Sequence, residues 1–262
     1  MVEIDDELAR QEFETSCRDF WARIDPVALM ERAGFSRPDP WQKRVLRSSS
    51  PKIALLAGRQ MGKSTTTAIK ALHQALFIPR SLVLIGSRTE RQSEELFIKI
   101  VSAYNALGRP VPGRDLKHSL ELENQSRILA LPGNPDNIVG FSDPSLIIID
   151  EAARCPDGMF EAVSPMRAVS GGTLMLLSTP RGRRGFFWNE WEYGEGWERI
   201  QAKASECPRI SAEFLASERW SLGELMYRQN YENEFVLSED QCFSQSSIDR
   251  AFDSNIPALL GF

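Results

Sequence analysis

An α/β fold with a mostly parallel central sheet is what this sequence predicts, and three observations predict it. Lys52–Ala57, Leu146–Asp150 and Gly172–Ser178 are short runs that are apolar nearly throughout, and strands without polar alternation are covered on both faces. Between and beside them lie longer stretches of helical period, Lys63–Leu76 and Thr89–Leu107. Strands alternating with helices in this way build a sheet flanked by helices.

In chain order, residues 1 to 37 form a charged, helical N-terminal arm, with Phe13, Phe20 and Trp21 expected to pack on the body of the protein. Gly34 and Pro38-Asp39-Pro40 close the arm, because glycine and proline punctuate local structure. A helix then begins near Trp41 and runs through Val45-Leu46. The strand Lys52–Ala57 leads into the helix Lys63–Leu76, and Ser81–Gly86 is a second strand. Thr89–Leu107 is the next helix, with Leu96, Ile100 and Tyr104 on one side. Leu120–Leu131 reads as two short strands about Asn124-Gln125-Ser126. The strands Leu146–Asp150 and Gly172–Ser178 come next, and Trp197–Ala204 is a late strand. From Ser211 to Phe235 the pattern is helical again, which suggests a small C-terminal lid. The expected divisions are an arm over 1–37, a core over 38–208, a lid over 209–240 and a linker over 241–262.

Composition narrows the classes. The chain has 262 residues, of which 42% are hydrophobic and 26% charged, proportions ordinary for a globular protein. No run approaches the roughly eighteen apolar residues that a membrane span needs. The acidic Met1–Glu7 stretch lacks the apolar centre of a signal peptide. The four cysteines, Cys17, Cys155, Cys207 and Cys242, and the two histidines, His73 and His118, show no zinc-site spacing. The cysteines read as free thiols in a reducing cytosol. A net charge of −5 argues against a surface coated in basic groups for gripping DNA, so any such contact must be local or supplied by other chains.

Gly58-Arg59-Gln60-Met61-Gly62-Lys63-Ser64 lies between a predicted strand and a predicted helix, the context of a phosphate-binding loop. Backbone N–H groups at the positive end of a helix attract phosphate. Lys63 would reach the β- and γ-phosphates, and the Ser64 hydroxyl would ligate Mg²⁺; Thr65 completes the turn. The usual glycine five residues before Gly62 is here Ala57, which serves only if the backbone there is not left-handed. The competing explanation is a solvated turn that opens a helix.

Leu146-Ile147-Ile148-Ile149-Asp150-Glu151 buries a strand and ends it in two carboxylates, at the edge where ligands bind in open α/β sheets. Asp150 would hold Mg²⁺ through water while Glu151 polarises the attacking water, a contribution of about 10²–10⁴-fold. A core strand with a solvated acidic tip would look the same if it stood alone. Leu174 to Gly182 ends in Ser178-Thr179-Pro180-Arg181-Gly182. Ser178 or Thr179 could there sense the γ-phosphate and re-aim Arg181, Arg183 and Arg184. Upstream, Gln42 has an amide able to donate to and accept from an adenine edge; Trp41 beside it suits either that end of the site or the core.

Taken together, Pro40-Trp41-Gln42, Arg59-Gln60-x-Gly62-Lys63-Ser64, Ile149-Asp150-Glu151-Ala152-Ala153 and Ser178-Thr179-Pro180-Arg181-Gly182 occur in order. This resembles the ATPase half of tailed-bacteriophage large terminase subunits, from about residue 38 to the Tyr231–Val236 segment. The resemblance implies an additional-strand (RecA-like) P-loop NTPase that uses ATP and Mg²⁺ to translocate double-stranded DNA into a procapsid in the host cytoplasm. Its partners would be a portal ring and a small terminase subunit. It would assemble as a homo-oligomeric ring and could be a monomer in isolation. By the same resemblance Gln42 contacts adenine, Arg59 sits near the γ-phosphate, and Ser178 and Thr179 couple hydrolysis to motion.

Two departures stand out. Where many relatives carry an arginine before the glycine matching Gly140, proposed to reach a neighbouring subunit's nucleotide, this sequence has Val139. Such a finger is worth about 10³–10⁵ in rate, and Arg154, Arg181, Arg183 and Arg184 are the candidates to replace it. The family also continues into a metal-dependent nuclease domain, toward which residues 241–262 would lead; nuclease activity is not expected of this sequence. The alternatives are a helicase-like, nucleic-acid-dependent ATPase and a degenerate nucleotide-binding scaffold.

Overall fold

The computed structural model describes residues 16–131 and 140–236. Its strands are β1 (Lys52–Ala57), β2 (Leu82–Gly86), β3 (Gly113–Asp115), β4 (Ser119–Leu122), β5 (Arg127–Ala130), β6 (Leu146–Asp150), β7 (Thr173–Ser178) and β8 (Glu198–Ala202). The helices are α1 (residues 16–24), α2 (Pro26–Arg32), α3 (Pro40–Arg47), α4 (Lys63–Phe77), α5 (Glu90–Ala106), α6 (Asp157–Val163), α7 (Gly185–Glu192) and α8 (Ala212–Tyr231). The strands join in one sheet of order β3-β4-β5-β2-β6-β7-β1-β8.

From β5 to β8 every pairing is parallel, and β4 pairs antiparallel with both β5 and β3. The mostly parallel sheet is therefore as the sequence predicts, with a hairpin edge about Asn124. One strand, β7, stands between β1, which leads into the glycine-containing loop, and β6, which ends in the acidic pair. That is the additional-strand order. Leu56 pairs with Ser178, and Asp150 with Leu177. The ends of β1, β7 and β6 thus finish within two residues of one another along the strand direction.

Alternation along each strand explains why the runs are apolar throughout. Ile53, Leu55, Val83, Ile85, Ile148 and Leu177 face one side, beneath α2, α3, α4 and α5. Ala54, Leu56, Leu84, Ile147, Ile149 and Leu176 face the other, beneath α6 and α7. Both faces are covered, so neither tolerates a polar residue.

The structure departs from the sequence-based expectation in several places. In the arm, Phe20 and Trp21 are 60% and 58% exposed, whereas Ala22, Val27, Leu29 and Met30 enter the main core. Asp25 accepts from the Val27 N–H at 3.0 Å and starts α2, while Arg47 holds the same carboxylate at 2.6 Å. Phe13 lies outside the described residues, as do Val139, Cys242 and the whole of 241–262. β3 was not predicted, being three residues with two exposed. Gly113 serves there because a Cβ would come within 2.7 Å of the Glu121 carbonyl oxygen. α6 and α7, each too short to declare a period, were also missed.

The helical stretch predicted to reach Phe235 ends at Tyr231. Phe235 instead packs against Phe187, Trp188 and Trp191. α8 is kinked at Gly223 (φ 74°, ψ 162°) and anchored at its ends by Leu215, Tyr227 and Tyr231. Its middle is bare, with Trp220 89% exposed. No described helix is long and apolar enough to cross a membrane.

Lys70 of α4 closes the end of α3. Its ammonium donates to the carbonyls of Val45, Leu46 and Ser48 at 3.1, 3.2 and 3.0 Å, the last-turn acceptors that a helix cannot satisfy itself. Burial lowers its pKa to about 8. Lys70→Ala should cost about 1–3 kcal/mol, the usual consequence of leaving buried acceptors unpaired. Urea titration reads this directly; a loss within about 0.5 kcal/mol, typical of a surface change, would deny the cap its role.

Candidate active site

β1 delivers the chain to the loop at Ala57, its last strand residue, fully buried and outside the left-handed region. The alanine in place of the usual glycine is therefore unstrained. The left-handed turns fall on Gln60 (φ 60°) and Gly62 (φ 91°). Gly62 sits at the start of α4 with no side chain capping it, so the first N–H groups of a fifteen-residue helix face the cleft without an internal acceptor. A Cβ at Gly62 would also meet Gln42 Nε2 at 3.1 Å.

Arg59, Gln60, Met61, Gly62, Lys63, Ser64 and Thr65 line a cleft of about 590 Å³, with Glu151, Arg154 and Thr179 on its far side. Lys63 is 8% exposed. Its Nζ donates to the Ala57 and Gly58 carbonyls at 2.8 and 2.9 Å, folded back onto its own loop. Burial lowers its pKa, and Glu151 and Asp150 oppose that shift. Asp150 lies behind the cleft wall at 8% exposure. Desolvation, then the neighbouring Glu151 charge, raises it to about 6, while Lys63 pulls it down. Its Oδ1 accepts from the Glu151 N–H at 2.8 Å.

Among the described residues no lysine or arginine forms an ion pair with this buried carboxylate, and the pull of Lys63 does not offset its desolvation. With the Ser64 hydroxyl at the start of α4 it offers the hard oxygen donors that suit Mg²⁺. The residues present therefore fit that ion. Glu151 adopts left-handed backbone (φ 51°, ψ 40°), a conformation that costs of order 1 kcal/mol in a residue with a side chain.

Around Gln42 a second, smaller cleft of about 270 Å³ shares Gln60, Gly62 and Thr65 with the first and adds Met30, Phe35, Pro38 and Arg209. Gln42 is buried. Its Oε1 accepts from the Asp39 N–H at 2.8 Å and its Nε2 donates to Thr66 Oγ1 at 2.9 Å. Thr66 in turn donates to the Gly62 carbonyl. Arg209 braces the same corner with both nitrogens on Asp39, at 3.0 and 2.7 Å, and a further bond to the Met61 carbonyl at 3.2 Å.

Ten of the predicted site residues thus share the larger cleft, and Gln42 joins the adjoining one. Others stand elsewhere. Trp41 belongs to the core and lines neither cleft. Gly58 is buried under the loop, Ser178 is buried behind Thr179, and neither Arg181 nor Arg184 lines either cleft. Arg183 is occupied elsewhere, donating to the Phe235 carbonyl and lying over the Trp188 ring. Sequence reasoning missed Lys99 and Gln92, which enter the cleft from α5, and Arg209. In sequence the first two are only the polar side of an amphipathic helix, and nothing marks Arg209.

Residues 54–250 match the family described as terminase large subunit, T4likevirus-type, N-terminal. The terminase large subunit of Thermus virus P23-45 is 26% identical over 246 residues, covering 79% of this chain and 50% of that protein. The chain therefore spans about half the length of the curated relatives it matches. Among solved structures, the large terminase ATPase domain of Thermus phage P74-26 superposes with a TM-score of 0.69 at 24% identity, over 79% of this chain and 96% of that one. The large terminase of the thermophilic bacteriophage D6E in complex with ADP gives 0.63 at 13% identity, over 77% and 54%.

Asp150 supplies a pH signature. Its pKa rises from 3.8 to about 6 on folding, so between those values the folded chain binds the extra proton. The stabilisation is complete below about pH 4 and is lost as pH rises through 6. Asp150→Asn should therefore raise Tm at pH 7 without nucleotide by about 4 °C or more, with the gain shrinking toward zero near pH 4. A pH-independent difference in Tm would contradict this.

Proposed function

The chain belongs to the terminase large-subunit N-terminal domain family, and from that premise we propose that it hydrolyses ATP to drive double-stranded DNA into a viral procapsid. One observation carries the reading: Lys63, just after β1, and Glu151, just after β6, line a single cleft at one rim of the sheet, with Asp150 buried directly behind Glu151 and electrostatically coupled to Lys63.

Lys63 exchanges the Ala57 and Gly58 carbonyls for the β- and γ-phosphates, and the uncapped start of α4 holds the phosphate oxygens. Ser64 and Asp150 hold Mg²⁺, which when bound neutralises charge building on the phosphates. Glu151 polarises the attacking water, and Arg59 lies near the γ-phosphate. The nucleobase takes the smaller cleft, where Gln42 keeps one amide hydrogen and one acceptor site beyond its bonds to Thr66 and Asp39. Ser178 and Thr179 couple the phosphate to the end of β7: Ser178 Oγ accepts from the Ala153 N–H just beyond Glu151.

Residues 38–208 act as the motor core, with 1–37 as an arm and 209–240 as the lid. The working assembly is a homo-oligomeric ring on a portal, served by a small terminase subunit in the host cytoplasm.

Phosphate-release assays with and without duplex DNA test this. Lys63→Ala should abolish turnover, and Glu151→Gln should slow it by at least about 10²-fold while still binding ATP. DNA should stimulate the unaltered chain, and specific activity should rise with protein concentration if a neighbour contributes to the site. Near-normal turnover in Glu151→Gln would remove that residue from its role, and unimpaired turnover in Lys63→Ala would end the ATPase reading.

A further inference from the structure

Glu151 is not free in this structure. The turn Ala152–Arg154 comes directly after it, closed by the Arg154 N–H on the Glu151 carbonyl at 2.8 Å. That turn swings the Arg154 side chain back over the cleft. Its Nη1 donates to Glu151 Oε2 at 3.1 Å and to Thr179 Oγ1 at 3.2 Å. A single guanidinium nitrogen therefore joins the proposed base to the hydroxyl just past β7. The pair is half-buried, with side chains 21% and 29% exposed, so it is neither a solvated surface contact nor locked in the core. Arg59 and Lys99 also line the cleft, but the cation bonded to Glu151 is Arg154.

A guanidinium presents planar forked donors that suit carboxylate and phosphate alike. A terminal phosphate entering this cleft would be a more highly charged acceptor than one carboxylate. While Arg154 bonds Glu151, one acceptor site of Oε2 is taken and the adjacent guanidinium charge makes the carboxylate a weaker base toward a water. When Arg154 leaves, the same movement releases Thr179.

We propose that Arg154 is a nucleotide-operated latch: it holds Glu151 and Thr179 while the terminal-phosphate position is empty, and transfers to that phosphate when a nucleoside triphosphate binds. Glu151 is thereby exposed to the attacking water and the end of β7 is set free in one step, and a diphosphate does not trigger the exchange. This rests on the ATPase reading of the site.

The test is an equilibrium binding cycle by calorimetry, with Mg²⁺ and either ATP-γ-S or ADP. The proteins are the unaltered chain, Glu151→Gln, Arg154→Ala and the double variant. Neutralising Glu151 weakens its hold on Arg154, since hydrogen bonds to charged groups are roughly twice as strong as neutral ones. The gain in ATP-γ-S affinity from Glu151→Gln should be about fivefold larger with Arg154 present than in Arg154→Ala, while ADP affinity barely changes across all four. Equal gains in the two backgrounds would reduce Glu151→Gln to simple relief of charge repulsion and overturn the latch. So would an Arg154→Ala that weakens ADP as much as ATP-γ-S, because that marks a structural role. If Arg154→Ala does not fold, Arg154→Gln completes the same cycle with the same criteria. An unaltered chain that binds neither nucleotide overturns the latch together with the reading beneath it.

Discussion

The register of three parallel strands governs this molecule. Because Leu56 pairs with Ser178 and Asp150 with Leu177, the loop after β1, the hydroxyls after β7 and the carboxylates after β6 emerge at one level of the sheet. Side chains far apart in sequence meet there without any long loop to carry them. A slip of one residue would swap each strand's two side-chain sets between the faces; both sets are apolar and buried, so it is their close fit against the covering helices that resists the slip. Packing on either side of the sheet is therefore what fixes the alignment of the cleft residues.

That dependence explains what could be read from the sequence. Long apolar strands and amphipathic α4 and α5 declared themselves, since burial on two faces leaves an unbroken hydrophobic signature. The cleft was legible where a residue type is tied to one chemistry at one place on a strand end, as with Lys63, Ser64, Asp150 and Glu151. It was illegible where the role comes from three-dimensional neighbours. Lys99 and Gln92 look like solvated helix residues until α5 is laid beside the loop, and Arg209 gains meaning only by meeting Asp39. Phe20 and Trp21 misled in the other direction: hydrophobicity suggested packing, but the arm is buried through the smaller Ala22, Val27, Leu29 and Met30 instead.

Several groups proposed to meet nucleotide are satisfied internally. Lys63 rests on two carbonyls of its own loop, Gln42 bonds Thr66, and Glu151 is paired with Arg154. These internal bonds leave no unpaired buried polar group among them, and such groups are expensive in a low-dielectric setting. Asp150 has no comparable cation and instead shifts toward its neutral form. Burial, more than any neighbouring charge, is what lifts it.

Gly58 has a mechanical consequence. A Cβ there would lie 3.2 Å from the backbone oxygen of Asn230, near the end of α8, and 3.0 Å from Met61 Sδ. Loop and helix therefore abut with no side chain between them to act as a cushion. In engineering terms the joint leaves no clearance: any side chain added at position 58 would press directly on the helix backbone.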